Sequence, residues 1–222
     1  MRNEPRWHSA IAIVAALVLY MRLPPKLTFG PVWVAPALVL ILLIPLLIAD
    51  TRREKLSRQI RVGSIALIAV LNFFNITSVG LLINDLVNSH VPAHSAVNAQ
   101  GLLGAGAVIW VTNVIVFALW YWELDSGGPT PREKAGSAAE FASADFLFPQ
   151  MTIDKTKVAC VDVRWKPLLL DYLYVSATNA LAFSPTDTMP LSRMAKTLMM
   201  VESLISFATV GLILARSVNI LS

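Results

Sequence analysis

The sequence predicts an all-α membrane protein, with about five transmembrane helices and one shorter helix that enters the membrane and turns back. Three observations predict this fold class. The 222 residues are 56% hydrophobic and 14% charged, whereas soluble domains are about 45–50% apolar and about 25% charged. Five apolar runs of 15 to 23 residues contain one charged residue between them. A sixth apolar segment is too short and too polar for a comfortable crossing.

The charge balance favours a lipid bilayer as the partner and argues against nucleic acid. Lys and Arg number 18 and Asp and Glu 14, which gives a net charge of +4. In so apolar a chain, basic loops beside lipid headgroups explain this excess. The single cysteine, Cys160, excludes an intrachain disulfide and a disulfide scaffold. The hydrophobic content also excludes a disordered chain and most soluble enzymes.

The first two runs are the least regular. Trp7–Met21 has 15 residues, which is short for a crossing unless the flanking arginines snorkel. No small-residue cleavage site follows it, so we expect it to be retained. The second run, 27–49, contains Pro36 and Pro45, and we expect both to kink its helix.

The next two runs are regular helix candidates. Within residues 62–84, Asn72 and Asn75 share a helix face, where hydrogen bonding to a neighbouring helix is favoured over an ion path. Residues 101–122 end in Trp-Tyr-Trp, which we interpret as an aromatic belt at the membrane interface. The last run, 197–215, contains one acid.

The chain is expected to divide into three regions. Residues 1–122 form a four-helix membrane region. Residues 123–166 form a long polar loop, part of which should pack because it contains several aromatic side chains. Residues 167–222 form a module in which a short polar-studded helix is followed by a turn and by the last helix. Asp171, at the start of the short helix, is expected to cap it.

Residues 174–196 resemble the pore loop of the potassium-channel superfamily. In that family, a pore helix ends in Thr-Thr-x-Thr-Thr-Val-Gly-Tyr-Gly-Asp. A Pro follows three residues later, then a Thr, and then a Gly-Lys or Gly-Arg that opens the inner helix. The matching positions are Tyr174, Ser176, Thr178, Asp187, Pro190, Ser192 and Lys196. The segment also resembles a set of prokaryotic integral membrane proteins. These share a Tyr-x-Ser-x-Thr segment ahead of a last helix that ends near Ala-x-x-Val-Asn-Ile/Leu, and residues 215–220 of this chain match that ending.

The resemblance implies a homo-oligomer, most simply a tetramer, that passively conducts monovalent cations. Such a channel needs no cofactor and no resident metal beyond the permeant ion. The implied ion path comprises Thr178, Ala182, Phe183, Ser184, Pro185, Thr186 and Asp187. Glu202 and Gly211 in the last helix are expected to line or gate the pore, while the competing interpretation pairs Glu202 with Arg193 or Lys196 near the interface.

The filter-like turn departs from the family pattern. Ser184 and Thr186 replace the two glycines that supply unusual backbone dihedrals, and Pro185 fixes its own φ. The carbonyl ladder of a potassium filter is therefore not expected, and hydroxyls with the Asp187 carboxylate would face the ion. The alternative is a non-conducting membrane scaffold or accessory subunit that keeps the channel-like fold. A transporter is a third, weaker possibility.

No catalytic motif is present, and we expect no enzyme. His90 and His94 have a ligand spacing but lack a third ligand, so no metal site is expected.

The expected location is the cell (inner) membrane, with several crossings. The loop 50–61 has a net charge of +3, and the positive-inside rule places it in the cytoplasm together with the long loop. Potassium channels have the pore loop entering from outside. Three resolutions remain open: an inverted pore, as in glutamate receptors; a full crossing by residues 168–186; or failure of the rule.

Overall fold

The computed structural model describes residues 7–50, 57–88, 96–129, 144–153, 165–182 and 187–221. These residues form seven α-helices, two 3-10 turns and a two-stranded ladder. In chain order they are α1 Trp7–Met21, a 3-10 turn Pro25–Leu27, α2 Val34–Asp50, α3 Ser57–Asn88, α4 Ala96–Leu124, a 3-10 turn Asp125–Gly127, β1 Phe146–Leu147, α5 Pro149–Thr152, α6 Leu169–Ala182, β2 Met189–Pro190 and α7 Arg193–Leu221.

The all-α fold class agrees with the sequence prediction. In the described part of the chain, three helices are long and apolar enough to cross a membrane: Gln59–Asp85, Leu103–Gly127 and Arg193–Leu214. The apolar stretches His8–Met21 and Val34–Ile44 are shorter. Three spans therefore have the required length and composition, and the predicted total of five stays a prediction.

The second predicted span begins later than its charge-free run. Leu27 ends a 3-10 turn, and α2 starts at Val34. Pro36 consequently lies in the first turn of α2, where the backbone N–H groups have no intrahelical partner. A kink in the helix interior at Pro36 was the wrong expectation, because the ring removes no helix hydrogen bond there.

The centre of the bundle is α4, which packs against α1, α3, α6 and α7, while α2 packs mainly against α3. At Gly106 a β-carbon would lie 1.9 Å from the Ile213 Cδ1 of α7. A side chain at this position would therefore collide with α7. The end of the Ile213 side chain fills the space that a β-carbon at Gly106 would occupy.

The long loop is tied to the segment that precedes α7. Phe146 pairs with Pro190 and Leu147 with Met189 in an antiparallel ladder, and the Leu191 N–H donates to the Asp145 carbonyl over 2.8 Å. These bonds place residues 189–191, just before α7, beside residues 145–147 of the loop that follows α4.

Part of the long loop is packed, as the sequence predicted, and its aromatic side chains lie against the end of α4. Phe146 and Phe148 are buried beside Tyr121 and Tyr172, and Trp165 contacts Phe148 edge to face.

The predicted aromatic belt at residues 120–122 is wrong for its last two residues. Tyr121 is 0% exposed and the Trp next to it 3%, because both belong to this internal cluster.

The opposite ends of the bundle can be identified from two contacts. The Arg61 Nε, near the start of α3, would lie 3.8 Å from a β-carbon at Gly128, which follows α4. The ion pair between Lys26 and Asp85, at 2.6 Å, lies at the other end. The start of α3 and the end of α4 therefore share one end of the bundle, which agrees with the inference that the loops adjoining them lie on one side.

Candidate functional site: a buried carboxyl group among three helices

Glu202 of α7 is completely buried and hydrogen-bonded to two other helices. The Tyr121 hydroxyl of α4 donates to the Glu202 Oε2 over 2.5 Å, and the Asn179 amide of α6 donates to the same oxygen over 2.6 Å. The Ser176 hydroxyl contacts the Glu202 Oε1. The carboxyl group thus joins α4, α6 and α7.

Asn179 and Ser176 each make a second contact. The Asn179 Nδ2 donates to the Met199 carbonyl over 2.9 Å, and the Asn179 Oδ1 accepts from the Ser203 hydroxyl over 3.2 Å. The Ser176 Oγ lies 2.8 Å from the Val114 carbonyl of α4. Because Ser176 and Asn179 are three residues apart, they share one helix face. That face is turned toward α4 and α7.

Further polar contacts continue toward α3. The Asn113 Nδ2 donates to the Ser206 Oγ over 3.1 Å, and the Asn75 Nδ2 donates to the Asn113 Oδ1 over 3.2 Å. The prediction that Asn75 bonds to a neighbouring helix is confirmed. The same prediction is not confirmed for Asn72, because its buried Oδ1 has no hydrogen-bond partner among the described residues.

A second buried acid, Asp125, organises the end of α4. Its Oδ1 accepts the backbone N–H groups of Asp145, at 2.7 Å, and Phe146, at 3.3 Å. Its Oδ2 accepts the Tyr172 hydroxyl of α6 over 2.5 Å. One carboxylate therefore fixes the start of β1 and the first turn of α6 to the same point.

The first turn of α6 is capped as predicted. The Asp171 Oδ2 accepts the Leu168 N–H over 2.7 Å. This carboxylate satisfies a backbone donor that has no partner within the helix.

The predicted ion-path residues are only partly within the described chain. Phe183, Ser184, Pro185 and Thr186 lie outside the described residues. The remaining members are placed as follows: Thr178 is half-buried and bonds to the carbonyls of its own helix, Ala182 ends α6 and is exposed, and Asp187 is exposed and accepts the Thr188 hydroxyl over 3.2 Å.

The two predicted pore-lining or gating residues occupy different faces of α7. Gly211 is half-exposed, with open space around its Cα. Glu202 faces the interior of the helical bundle. Its hydrogen bonds go to Tyr121, Ser176 and Asn179, whereas Arg193 and Lys196 are exposed.

Sequence reasoning missed three members of the Glu202 cluster: Tyr121, Asn179 and Ser206. Tyr121 was assigned to an interfacial belt on the strength of its aromatic neighbours. Asn179 and Ser206 carried a usable signal, because a polar side chain within an apolar helix must find a partner. Their spacing from Ser176 and Glu202, at i+3 and i+4 respectively, places each pair on one helix face.

Among the residues that the structure describes, no group of three His, Cys, Asp or Glu side chains could hold a metal ion. His90 and His94 lie outside the described residues.

The fold and this cluster define a class of protein: a helical bundle with three helices able to span a membrane and a polar cluster buried among its last helices. Comparisons with protein-family models, with curated proteins and with solved structures found no significant match.

Proposed function

We propose that this chain is a multi-pass protein of the cell (inner) membrane that assembles as a homo-oligomer, most simply a tetramer, and passively conducts monovalent cations. The proposed pore is built from α6, the turn after it and α7. The protein acts without a catalytic step or a cofactor.

The observation that carries this proposal is the relative direction of α6 and α7. Tyr172, in the first turn of α6, bonds to Asp125, and Met189, just before α7, pairs with Leu147 of the same loop. Both helices therefore start at the same end of α4. Farther from that end, Ser176 of α6 contacts the Val114 carbonyl. Ser206 of α7 likewise contacts Asn113, so both helices run along α4 in the same direction.

The length of α6 supports the same interpretation. Its 14 residues span about 21 Å, which is shorter than the ~30 Å hydrocarbon core. A helix of this length would enter the membrane only partway. By Met189 the chain is again at the end of the bundle where α6 begins, which is the form of a re-entrant pore element. Such an element is tolerated where protein buries it, and the polar face of α6 is buried against α4 and α7.

The outer face of α7 supports assembly into an oligomer. Of its apolar stretch, 22% is buried within the chain, compared with 56% for α4. The exposed large side chains include Met200, Leu204 and Phe207. Copies of the chain packed around an axis would cover this face, as the inner helices of an oligomeric pore do.

The orientation that fits best is an entrance on the cytoplasmic side. The start of α6 lies at the same end as Arg61 and the basic loop before it, and the positive-inside rule places that loop in the cytoplasm. This corresponds to an inverted pore.

A second candidate function, a non-conducting scaffold or accessory subunit, is favoured by one observation. Ser176 and Asn179, two buried polar side chains of α6, bond within the protomer and are not directed at a central axis. With Ser184 and Thr186 in the places of the filter glycines, the fold would then serve assembly alone.

Cation flux from liposomes containing the purified protein distinguishes the two functions. The test compares the wild type with Asp187→Asn, and uses Asp171→Asn as a matched control that removes a charge at the other end of α6 but keeps a capping oxygen. Conduction through the turn predicts flux in the wild type and the control, and reduced flux in Asp187→Asn. A folded oligomer without flux would favour the scaffold, and a monomer in mild detergent would contradict both the pore and the tetramer.

A further inference from the structure

The hydrogen atoms available around Ser176 do not suffice for the contacts that its hydroxyl group makes. A serine hydroxyl has one proton to donate. The Ser176 Oγ lies 2.8 Å from the Val114 carbonyl, which is the usual distance of a complete O–H···O bond. The same oxygen is in hydrogen-bond contact with the Glu202 Oε1. A carbonyl oxygen only accepts, so the Ser176 proton is used there, and the contact with Glu202 needs another.

We propose that Glu202 binds a proton on its Oε1, so that a neutral carboxylic acid donates to Ser176 and Ser176 donates in turn to the Val114 carbonyl. The ligand of this buried site is H⁺. The site lies inside each protomer and is separate from the turn 183–187. The inference does not depend on whether that turn conducts ions.

The remaining bonds of the carboxyl group fit this assignment. Tyr121 and Asn179 both donate to the other oxygen, Oε2, which leaves Oε1 as the atom that carries the proton. Every contact then has one donor and one acceptor. With an ionised carboxylate, the 2.8 Å contact between Ser176 and the Val114 carbonyl would lack a proton.

Among the residues that the structure describes, none supplies a compensating positive charge beside Glu202. The titratable group facing it is Tyr121 of α4, while α6 presents Ser176 and Asn179. On α7 itself, Arg193 and Lys196 are exposed, and among the described residues the hydrogen bonds of the Glu202 carboxyl group go to neutral side chains. A fully buried anion without a cation is costly, and a bound proton removes that cost.

Infrared spectroscopy of the protein in lipid at neutral pH tests the proposal. The wild type minus Glu202→Gln difference spectrum is expected to contain a carboxylic acid C=O band that moves to lower frequency in D₂O. Asp187→Asn, which removes an exposed acid, serves as the control and should leave that band in place. A difference spectrum with carboxylate bands only would overturn the proposal.

A second variant keeps the test decisive if Glu202→Gln fails to fold. Ser176→Ala retains the acid but removes the acceptor of its proton, so the same band should persist and shift to higher frequency. Absence of any carboxylic acid band that responds to Ser176→Ala would also overturn the proposal.

Discussion

Asp125 and Glu202, two of the buried acids near the end of α4, are stabilised in different ways. Asp125 accepts two backbone N–H groups and the Tyr172 hydroxyl, so it behaves as a local organiser of the loop. Glu202 accepts from side chains of two other helices, so it depends on the packing of the whole bundle. The same chemical group therefore fixes a loop in one place and joins helices in the other.

Replacement of Glu202 by Ala should destabilise the protein strongly. The buried Tyr121 hydroxyl and one bond of the Asn179 amide would lose their acceptor, and each unsatisfied buried group costs about 1–3 kcal/mol. We expect the free energy of unfolding to fall by about 3 kcal/mol. Unfolding in detergent, monitored by near-ultraviolet circular dichroism, measures this change. Glu202→Gln should lose less, because an amide keeps an acceptor oxygen. Equal melting temperatures for Glu202→Ala and the exposed-site variant Asp187→Ala would show that the network contributes no stability.

Glu202 illustrates how far the sequence can predict such a site. An acid in an apolar run is visible at once, and so is its cost. Its partners are not, because Tyr121 is 81 residues away and had a competing interpretation as an interfacial aromatic. Partner choice is decided by how α4 and α7 pack, and no local pattern encodes that packing.

At the level of the elements, helix positions were predictable because charge-free runs mark them. The helices α3, α4 and α7 enclose the predicted runs and extend beyond them by up to several residues. The ladder between Phe146–Leu147 and Met189–Pro190 was not predicted. Two-residue strands are too short to have a periodicity, and their pairing is fixed by the distant side chains that bury Phe146.

The contact between α4 and α7 at Gly106 yields a matched pair of variants. A side chain in Gly106→Leu would collide with Ile213, whereas a β-carbon at Gly104 meets open space. Overpacking of a close contact typically costs about 1–3 kcal/mol, so Gly106→Leu should lower the melting temperature and Gly104→Leu should leave it nearly unchanged. Partial rescue of Gly106→Leu by Ile213→Ala would assign the effect to this contact. Equal behaviour of the two leucine variants would contradict the predicted collision with the Ile213 side chain.

At the scale of the whole molecule, the proposed orientation in the membrane depends on which elements share an end of the helical bundle. Arg61 and Gly128 share one end, and Lys26 with Asp85 marks the other. The long loop that joins α4 to α6 contains the single cysteine, Cys160, which offers a direct test of orientation.

We expect Cys160 to be shielded from a membrane-impermeant maleimide in intact cells and labelled after permeabilisation, because the cytoplasmic orientation places the loop inside. The matched control is Cys160→Ser combined with Lys26→Cys, at the opposite end, which should label in intact cells. The reverse pattern would establish the outward orientation of potassium channels.

The sequence distances within the polar cluster have a consequence for biogenesis. Asn75 and Asn113 are 38 residues apart, whereas Asn113 and Ser206 are 93 apart. During synthesis, the hairpin of α3 and α4 can satisfy the first pair as soon as it enters the membrane. The second bond and the acceptor for Tyr121 arrive only with α7. A nascent chain that stops before α7 therefore keeps these polar groups of α4 without their partners.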